Sequence, residues 1–170
     1  VATVLGEIER ILGGLTRGLD LGVLDTGLGK AGGSPVCFAP VASALGVILP
    51  SNSPGVNSIW IPSVVLKASV VLKPGREEPW TPLRIVRALI AAGFPPEAFS
   101  FYPTDHDGSA AILELTGRAL LFGDATTTKP WAADRRVQLH GPGWSKVLLG
   151  ADQAPRWQEH LDVLAASVAD

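Results

Sequence analysis

Residues 45–54, Leu45-Gly46-Val47-Ile48-Leu49-Pro50-Ser51-Asn52-Ser53-Pro54, decide the fold of this chain. A run of five apolar or small residues ends in a turn in which prolines flank the segment around Asn52. A helix-compatible stretch containing Trp60 follows, and a second strand-like run, residues 69–72, then ends at Lys73. This order predicts two parallel strands, with an amide and an ammonium at their carboxyl ends, where open α/β sheets bind ligands.

The same alternation of strand and helix continues to the end of the chain. The pattern predicts strands at about 45–49, 69–73, 98–102, 118–122 and 146–149, and helices at about 54–67, 80–93, 107–117 and 153–168. We therefore expect an α/β fold with a doubly wound, Rossmann-like parallel sheet. Ala92-Gly93 is expected to end one helix, and Asp107 or Ser109 to cap the next.

Two parts of the chain differ in character. Residues 1–40 predict an amphipathic helix at 3–18 and a glycine-rich loop, while residues 41–170 carry the alternation of strands and helices. The chain has no methionine, even at position 1, so we expect Val1 to be an internal position of a longer or processed protein.

Composition excludes several function classes. Of the 170 residues, 46% are hydrophobic and 18% charged, as in a globular domain with a sizeable core. The net charge of −2 gives no reason to expect nucleic acid or an anionic membrane surface as a partner. No apolar run reaches the roughly 18–20 residues of a membrane span, and no signal segment opens the chain, so the default location is the cytoplasm.

Cysteine and histidine give no metal-site pattern. The single cysteine, Cys37, cannot form an internal disulfide, and its neighbours Val36 and Phe38 predict a buried structural thiol. The three histidines lie far apart in sequence, so no zinc site is expected.

The motifs of residues 50–74 resemble those of the aldehyde dehydrogenase superfamily. That family carries Pro-x-Asn-x-Pro, a tryptophan eight residues after the asparagine, and Lys-Pro at the end of the next strand; here these are Asn52, Trp60 and Lys73-Pro74. The resemblance implies an oxidoreductase that uses NAD or NADP, with residues 41–170 as a portion of its nucleotide-binding domain. The cofactor-binding residues that it implies are Pro50, Lys73, Gly75, Arg76, Gly123 and Thr126.

Asn52 has two interpretations. Local sequence favours a turn asparagine that caps the following helix. The resemblance implies instead that its amide donates a hydrogen bond to the carbonyl oxygen that becomes negative during the reaction.

Lys73 and Arg76 leave the cofactor choice open. Lys73 is either a solvated lysine at a strand end or, as the resemblance implies, a contact of the adenosine ribose. Arg76 stands where the family often has a ribose-binding glutamate, and an arginine there can accommodate the 2′-phosphate of NADP. The alternative for residues 76–78 is an exposed charged loop.

Residues 122–126, Phe-Gly-Asp-Ala-Thr, resemble the family segment Phe-Thr-Gly-Ser-Thr, which opens the helix that faces the cofactor pyrophosphate. Phe122 and Thr126 match, whereas Gly123, Asp124 and Ala125 depart from the pattern. Asp124 repels a phosphate, or it simply caps the helix.

The segment 137–146 lies where the family has Glu-Leu-Gly-Gly-Lys. The general-base glutamate is absent, and Gln138 and His140 stand near its place. His140 is either a catalytic base or a surface histidine in a turn. Loss of the carboxylate suits acyl transfer to coenzyme A, because a thiol needs less activation than water. The segment therefore also resembles the acyl-CoA reductase branch of the family.

The resemblance yields two hypotheses. The first is the cofactor-binding part of an NAD(P)-dependent aldehyde or acyl-CoA dehydrogenase or reductase, acting on a small aldehyde or an acyl-CoA thioester, in a parent protein that could be a homo-oligomer. The family cysteine is missing, because Cys37 precedes Asn52, so this chain is expected to be inactive alone. The second hypothesis is a non-catalytic nucleotide-binding or assembly module derived from the same fold.

Overall fold

The computed structural model describes residues 2–17, 20–37, 39–143 and 147–169. The helices are α1 (Ala2–Gly6), α2 (Ile8–Leu15), α3 (Val23–Thr26), α4 (Asn57–Val65), α5 (Trp80–Ala91), α6 (His106–Leu115), α7 (Ala125–Thr128) and α8 (Leu161–Ala169). The strands are β1 (Gly29–Ala31), β2 (Ser34–Val36), β3 (Ala44–Ile48), β4 (Ser69–Lys73), β5 (Phe99–Phe101), β6 (Arg118–Phe122) and β7 (Val137–His140). Short 3-10 helices lie at Pro54–Val56, Pro96–Ala98, Lys129–Trp131 and Ala154–His160.

Five strands form one parallel sheet in the order β5-β4-β3-β6-β7. The chain moves outward from β3 through β4 to β5, returns to the other side of β3 as β6, and continues outward to β7. This confirms the predicted α/β fold with a doubly wound, Rossmann-like sheet. The separate strands β1 and β2 form a small antiparallel hairpin.

The sheet is buried on both faces, which explains the nearly continuous apolar runs of its central strands. Alternate residues of each strand point to opposite faces. Val47, Leu72 and Leu120 pack with α4 and α5 in one cluster, and Ile48 and Leu121 pack with α6 in the other. The two hydrophobic clusters hold helices on both sides of the sheet.

Four predicted strands and three predicted helices are confirmed within a few residues of their expected bounds, and Gly93, at φ +102°, ends the region of α5 as expected. The predicted N-terminal helix is divided into α1 and α2, and the helix expected at 153–168 is divided into a 3-10 helix and α8. The cap of α6 is neither Asp107 nor Ser109 but Asp105, whose carboxylate accepts a hydrogen bond from the Gly108 N–H.

The fifth predicted strand is wrong. Residues 147–150 form no strand, with Leu148 88% exposed, and Lys146 lies outside the described residues. The fifth strand is β7, at the edge of the sheet. Its alternation of apolar and polar residues suits an edge strand that is only half covered, whereas the apolar run at 147–149 gave the stronger sequence signal.

Cys37 is exposed, so the prediction of a buried thiol is wrong. The residue follows the β1–β2 hairpin, whose strand β2 is itself largely exposed, so apolar neighbours in sequence provide no core there. The division of the chain at residue 40 stays a prediction. In the described part of the chain, no helix has the length and apolarity needed to cross a membrane.

Gly46, in the middle of β3, lies close to Ile112 of α6 and to Thr116, which follows that helix. A Cβ atom at this position would lie 2.5 Å from Thr116 Oγ1 and 3.1 Å from Ile112 Cγ2. Thr116 is buried and its hydroxyl donates to the Ile112 carbonyl at 2.7 Å, so it cannot move aside easily. The glycine is therefore needed for packing between the central strand and α6.

We expect Gly46→Ala to lower the free energy of unfolding by about 1–3 kcal/mol, because the added methyl group overpacks this contact. Gly14→Ala is the matched control, since a Cβ there meets no atom within 4 Å and the residue lies in α2. The control should raise the stability by about 0.5–1 kcal/mol through helix propensity. Urea unfolding measures both changes, and equal stability of the two variants would contradict the packing argument.

Candidate functional site

The carboxyl ends of the five parallel strands meet at one edge of the sheet. The connection after β3 leads to β4 on one side of the sheet and the connection after β6 leads to β7 on the other, so β3 and β6 flank the point where the strand order switches direction. Ligands of doubly wound sheets bind at such a switch point. The loop after β3 carries Asn52, and the loop after β6 carries Gly123 and Asp124.

The loops after β3 and β4 are joined to each other. The Leu49 N–H donates to the Lys73 carbonyl at 2.9 Å, and the Glu77 N–H donates to Ser51 Oγ at 3.1 Å. A Cβ on Gly75 would lie 2.6 Å from the backbone of Pro50, so only glycine allows this approach. Pro50 and Gly75 are therefore neighbours, and their packing fixes the relative positions of the two loops.

Ser51 is the residue of this junction that the sequence did not reveal. Ser51 belongs to no recognisable motif, and its hydrogen-bond partner, Glu77, is 26 residues away in sequence. Only its place between Pro50 and Asn52, in a loop at the site edge, could have drawn attention to it.

Asn52 is exposed and does not cap the next helix. The cap is Ser53, whose Oγ accepts a hydrogen bond from the Gly55 N–H at 3.3 Å. The described residues give the Asn52 amide no hydrogen bond, so its N–H groups are free to meet another molecule.

Trp60 and Asn57 support the loop that carries Asn52. Trp60 is fully buried, and its Nε1–H donates to the Asn57 side-chain oxygen at 3.0 Å. The Asn57 amide in turn donates to the Pro54 carbonyl at 3.0 Å. The buried tryptophan thus holds the end of the loop through a buried polar pair, which keeps Asn57 fully hydrogen-bonded.

A groove of about 650 Å³ lies between the loops that follow β4 and β5. Its lining includes Lys73, Gly75 and Arg76 from the first loop and Thr104, Asp105 and His106 from the second. Three of the predicted cofactor-binding residues are thus brought together.

Lys73 is half-buried in this groove. Partial burial lowers the pKa of Lys73 below its ordinary value, and the nearby Asp105 charge opposes that change. In the described part of the chain, the ammonium makes no ion pair within 4.0 Å. It is thus a partly desolvated cation with hydrogen-bonding capacity to offer a ligand.

The N-terminus of α7 is occupied by the chain's own carboxylate. Asp124 Oδ1 accepts a hydrogen bond from the Thr127 N–H at 2.8 Å, so the interpretation of Asp124 as a helix cap is confirmed. This backbone hydrogen bond is the main reason why the pKa of Asp124 lies below its ordinary value. Gly123 is required for the tight turn, since a Cβ there would lie 2.7 Å from Thr127, and Thr126 is exposed on α7.

His140 ends β7 and is partly buried. It is therefore not a surface histidine in a turn, which was one of its two interpretations from the sequence. Its ring stacks on that of Phe122, its partner in the sheet register, with centroids 4.3 Å apart and planes 13° apart. Nε2 is buried without a hydrogen-bond partner among the described residues. Burial lowers the pKa of His140, so the imidazole is neutral at pH 7.

The predicted catalytic residues Asn52 and His140 are not in contact. Asn52 follows β3 and His140 ends β7, and β6 lies between these two strands, whose ends are therefore about two strand spacings, roughly 10 Å, apart. Gln138 is exposed on the edge strand. The described residues contain no cluster of histidine, cysteine, aspartate or glutamate that could hold a metal ion.

We expect His140 to make stability depend on pH. Because burial lowers its pKa, the unfolded chain takes up a proton first as the pH falls. The contribution is fully present above about pH 6.5 and decreases as the pH falls from there towards the lowered pKa. His140→Phe, which keeps a ring against Phe122, should flatten this part of the profile in urea unfolding between about pH 5 and 7.5. Parallel profiles for wild type and variant would contradict it.

The chain is similar to one family of known proteins. A family model described as the aldehyde dehydrogenase family matches residues 32–121, which is more than half of the chain. The matched range runs from the β1–β2 hairpin into β6 and contains Asn52, Trp60 and Lys73. No curated protein and no solved structure matches the chain. The chain belongs to the aldehyde dehydrogenase family.

Proposed function

We propose that this chain is the cofactor-binding part of an NAD(P)-dependent aldehyde or acyl-CoA dehydrogenase or reductase. The observation that carries the proposal is the half-buried Lys73, which lies in a groove beside the loop of Asn52 in a chain of the aldehyde dehydrogenase family. Family membership supports an aldehyde as the substrate, and the acyl-CoA thioester is the finer proposal.

The groove residues fit the adenosine part of a nicotinamide dinucleotide. The Lys73 ammonium would donate to ribose hydroxyls, Gly75 would line the groove beside the ligand, and Arg76 is the cation that a 2′-phosphate would meet. Pro50 follows β3, and Gly123 and Thr126 follow β6, so these three residues are proposed to contact the cofactor near the switch point. When bound, the cofactor accepts or supplies the hydride.

Asn52 is proposed as the oxyanion donor. Its amide carries no competing hydrogen bond within the described part of the chain, and its loop is fixed on one side by Gly75 and on the other by Asn57 and Trp60. A donor that is held in place before the reaction loses little free energy to reorganisation when charge develops on the carbonyl oxygen.

His140 is proposed as a proton acceptor. A neutral imidazole with an unpartnered Nε2 can accept a proton from a nucleophile, and the stacked Phe122 ring keeps its orientation. Gln138 cannot act as a base, and the buried Nε2 of His140 is less accessible to water than an exposed carboxylate would be, so activation of water is weak. This supports the proposal of an acyl transfer to a thiol, as in an acyl-CoA reductase.

A thiol nucleophile must come from outside these 170 residues. The single cysteine, Cys37, is exposed beside the β1–β2 hairpin and precedes the strand that leads to Asn52. We therefore propose that the chain binds the cofactor but does not by itself turn over a carbonyl substrate.

One observation favours the alternative, a non-catalytic nucleotide-binding or assembly module. The Asp124 carboxylate already satisfies the amide that a cofactor diphosphate would use at α7, and its charge repels a second anion. Absence of nucleotide binding would favour an assembly role of this kind.

We expect NAD or NADP to bind and Lys73→Ala to weaken the binding about tenfold or more, which is the effect of one charge-assisted hydrogen bond. Isothermal titration calorimetry with each nucleotide measures the affinity, and circular dichroism checks that the variant is folded. Lys30→Ala, at an exposed position in β1, is the matched control and should bind like wild type. Unchanged affinity in Lys73→Ala would remove the ribose role.

We expect no aldehyde oxidation and no acyl-CoA reduction by the chain alone, because it lacks a thiol at the site. NAD(P)H absorbance with a panel of aldehydes and acyl-CoA thioesters measures this. Turnover that survives Cys37→Ser would refute the assignment of the nucleophile to a segment outside this chain.

A further inference from the structure

The groove between the loops after β4 and β5 holds opposite charges from two different strand ends. Lys73 comes from β4, and Asp105 comes from the loop after β5. Their charges act on each other, although no ion pair within 4.0 Å joins them in the described part of the chain. The groove therefore presents a cationic donor and an anionic acceptor with space for a ligand between them.

Asp105 is exposed, and its carboxylate is anchored at the start of α6 through one oxygen. Oδ1 accepts hydrogen bonds from the Gly108 N–H at 3.0 Å and from the Thr104 hydroxyl at 3.4 Å. Oδ2 accepts neither of these hydrogen bonds. The Gly108 N–H is also the main reason why the pKa of Asp105 lies below its ordinary value, so the group is ionised at neutral pH. Among the described residues, an ionised carboxylate that is anchored through Oδ1 thus faces the groove.

An ammonium and a carboxylate together suit a vicinal diol. Each hydroxyl of a ribose both donates and accepts, so Lys73 can donate to one oxygen while Asp105 accepts from the other hydroxyl. In dinucleotide sites, a carboxylate at the ribose 2′-hydroxyl selects NAD, whereas an arginine accommodates the 2′-phosphate of NADP.

Arg76 favours a phosphate at the ribose 2′ position, whereas Asp105 favours a hydroxyl there. Arg76 is exposed, has no hydrogen bond within the described residues, and is followed by Glu77 and Glu78, which offset its charge. Ordering its long side chain costs conformational entropy, whereas Asp105 is already ordered by Gly108. A 2′-phosphate beside Asp105 would meet a fixed like charge.

We propose that Asp105 is the specificity-determining residue of this groove, accepting a hydrogen bond from the adenosine ribose so that the chain prefers NAD to NADP. The inference rests on the proposed function, in which the groove binds the adenosine part of the cofactor. The carboxylate that binds the ribose then comes from the loop after β5, and β5 is the neighbour of β4, which ends at Lys73.

Asp105→Asn tests this role without removing the helix cap, because asparagine caps helices as well as aspartate does. Calorimetry compares three ligands: NAD, NADP and the NAD analogue that lacks the adenosine 2′-hydroxyl. The wild-type chain should bind NAD about tenfold more tightly than either of the others, the effect of about one charge-assisted hydrogen bond. In Asp105→Asn the three affinities should come close together.

Asp107→Asn is the control for a simple loss of negative charge. Asp107 is exposed in the first turn of the same helix and is not among the residues that line the groove. This variant should keep the wild-type preference for NAD.

The outcomes distinguish the role of Asp105 from the existence of the cofactor site. Binding of NADP as tight as that of NAD by the wild-type chain, or an unchanged preference in Asp105→Asn, overturns the role of Asp105 and leaves the proposed cofactor site standing. No binding of any of the three ligands to the wild-type chain overturns both. Equal loss of preference in Asp107→Asn also overturns the assignment to Asp105.

Discussion

The parallel pairing of β3 on both of its sides is the constraint on which the rest of this structure depends. With β4 on one side and β6 on the other, β3 is fully inside the sheet and must be apolar on both faces. Gly46 lets α6 pack closely on one face, and Val47 packs with α4 and α5 on the other. Because β4 lies on one side of β3 and the chain later returns to its other side as β6, the carboxyl end of β3 also lies at the switch point where doubly wound sheets bind ligands.

The site is built from loops that support one another. Gly75 packs against Pro50, and Ser51 accepts a backbone hydrogen bond from the neighbouring loop, so the residues at the ends of β3 and β4 are held as one unit. This unit is rigid where it meets the sheet, while Asn52 at its tip stays exposed. Rigid support with an exposed polar tip is the arrangement expected of a binding loop on an α/β scaffold.

Charge divides the edge of the sheet into unlike parts. The groove beside β4 and β5 combines a partly desolvated ammonium with the carboxylate of Asp105, which suits a polar, hydroxyl-rich ligand. At α7 the carboxylate of Asp124 satisfies the helix itself, and beside it His140 is kept neutral by burial against Phe122. These residues thus suit the adenosine half of the proposed dinucleotide better than its diphosphate.

The sequence by itself determined the fold class, four strands of the sheet and the edge that carries the candidate site residues, because buried parallel strands leave apolar runs and their polar ends stand out against them. Tertiary structure decided the rest. The edge strand β7 gave a weak signal since only half of it is covered, and the exposed Cys37 contradicted its apolar neighbours in sequence. Asp105 and Ser51 belong to no motif, and they reach the site only because strands that are distant in sequence end side by side.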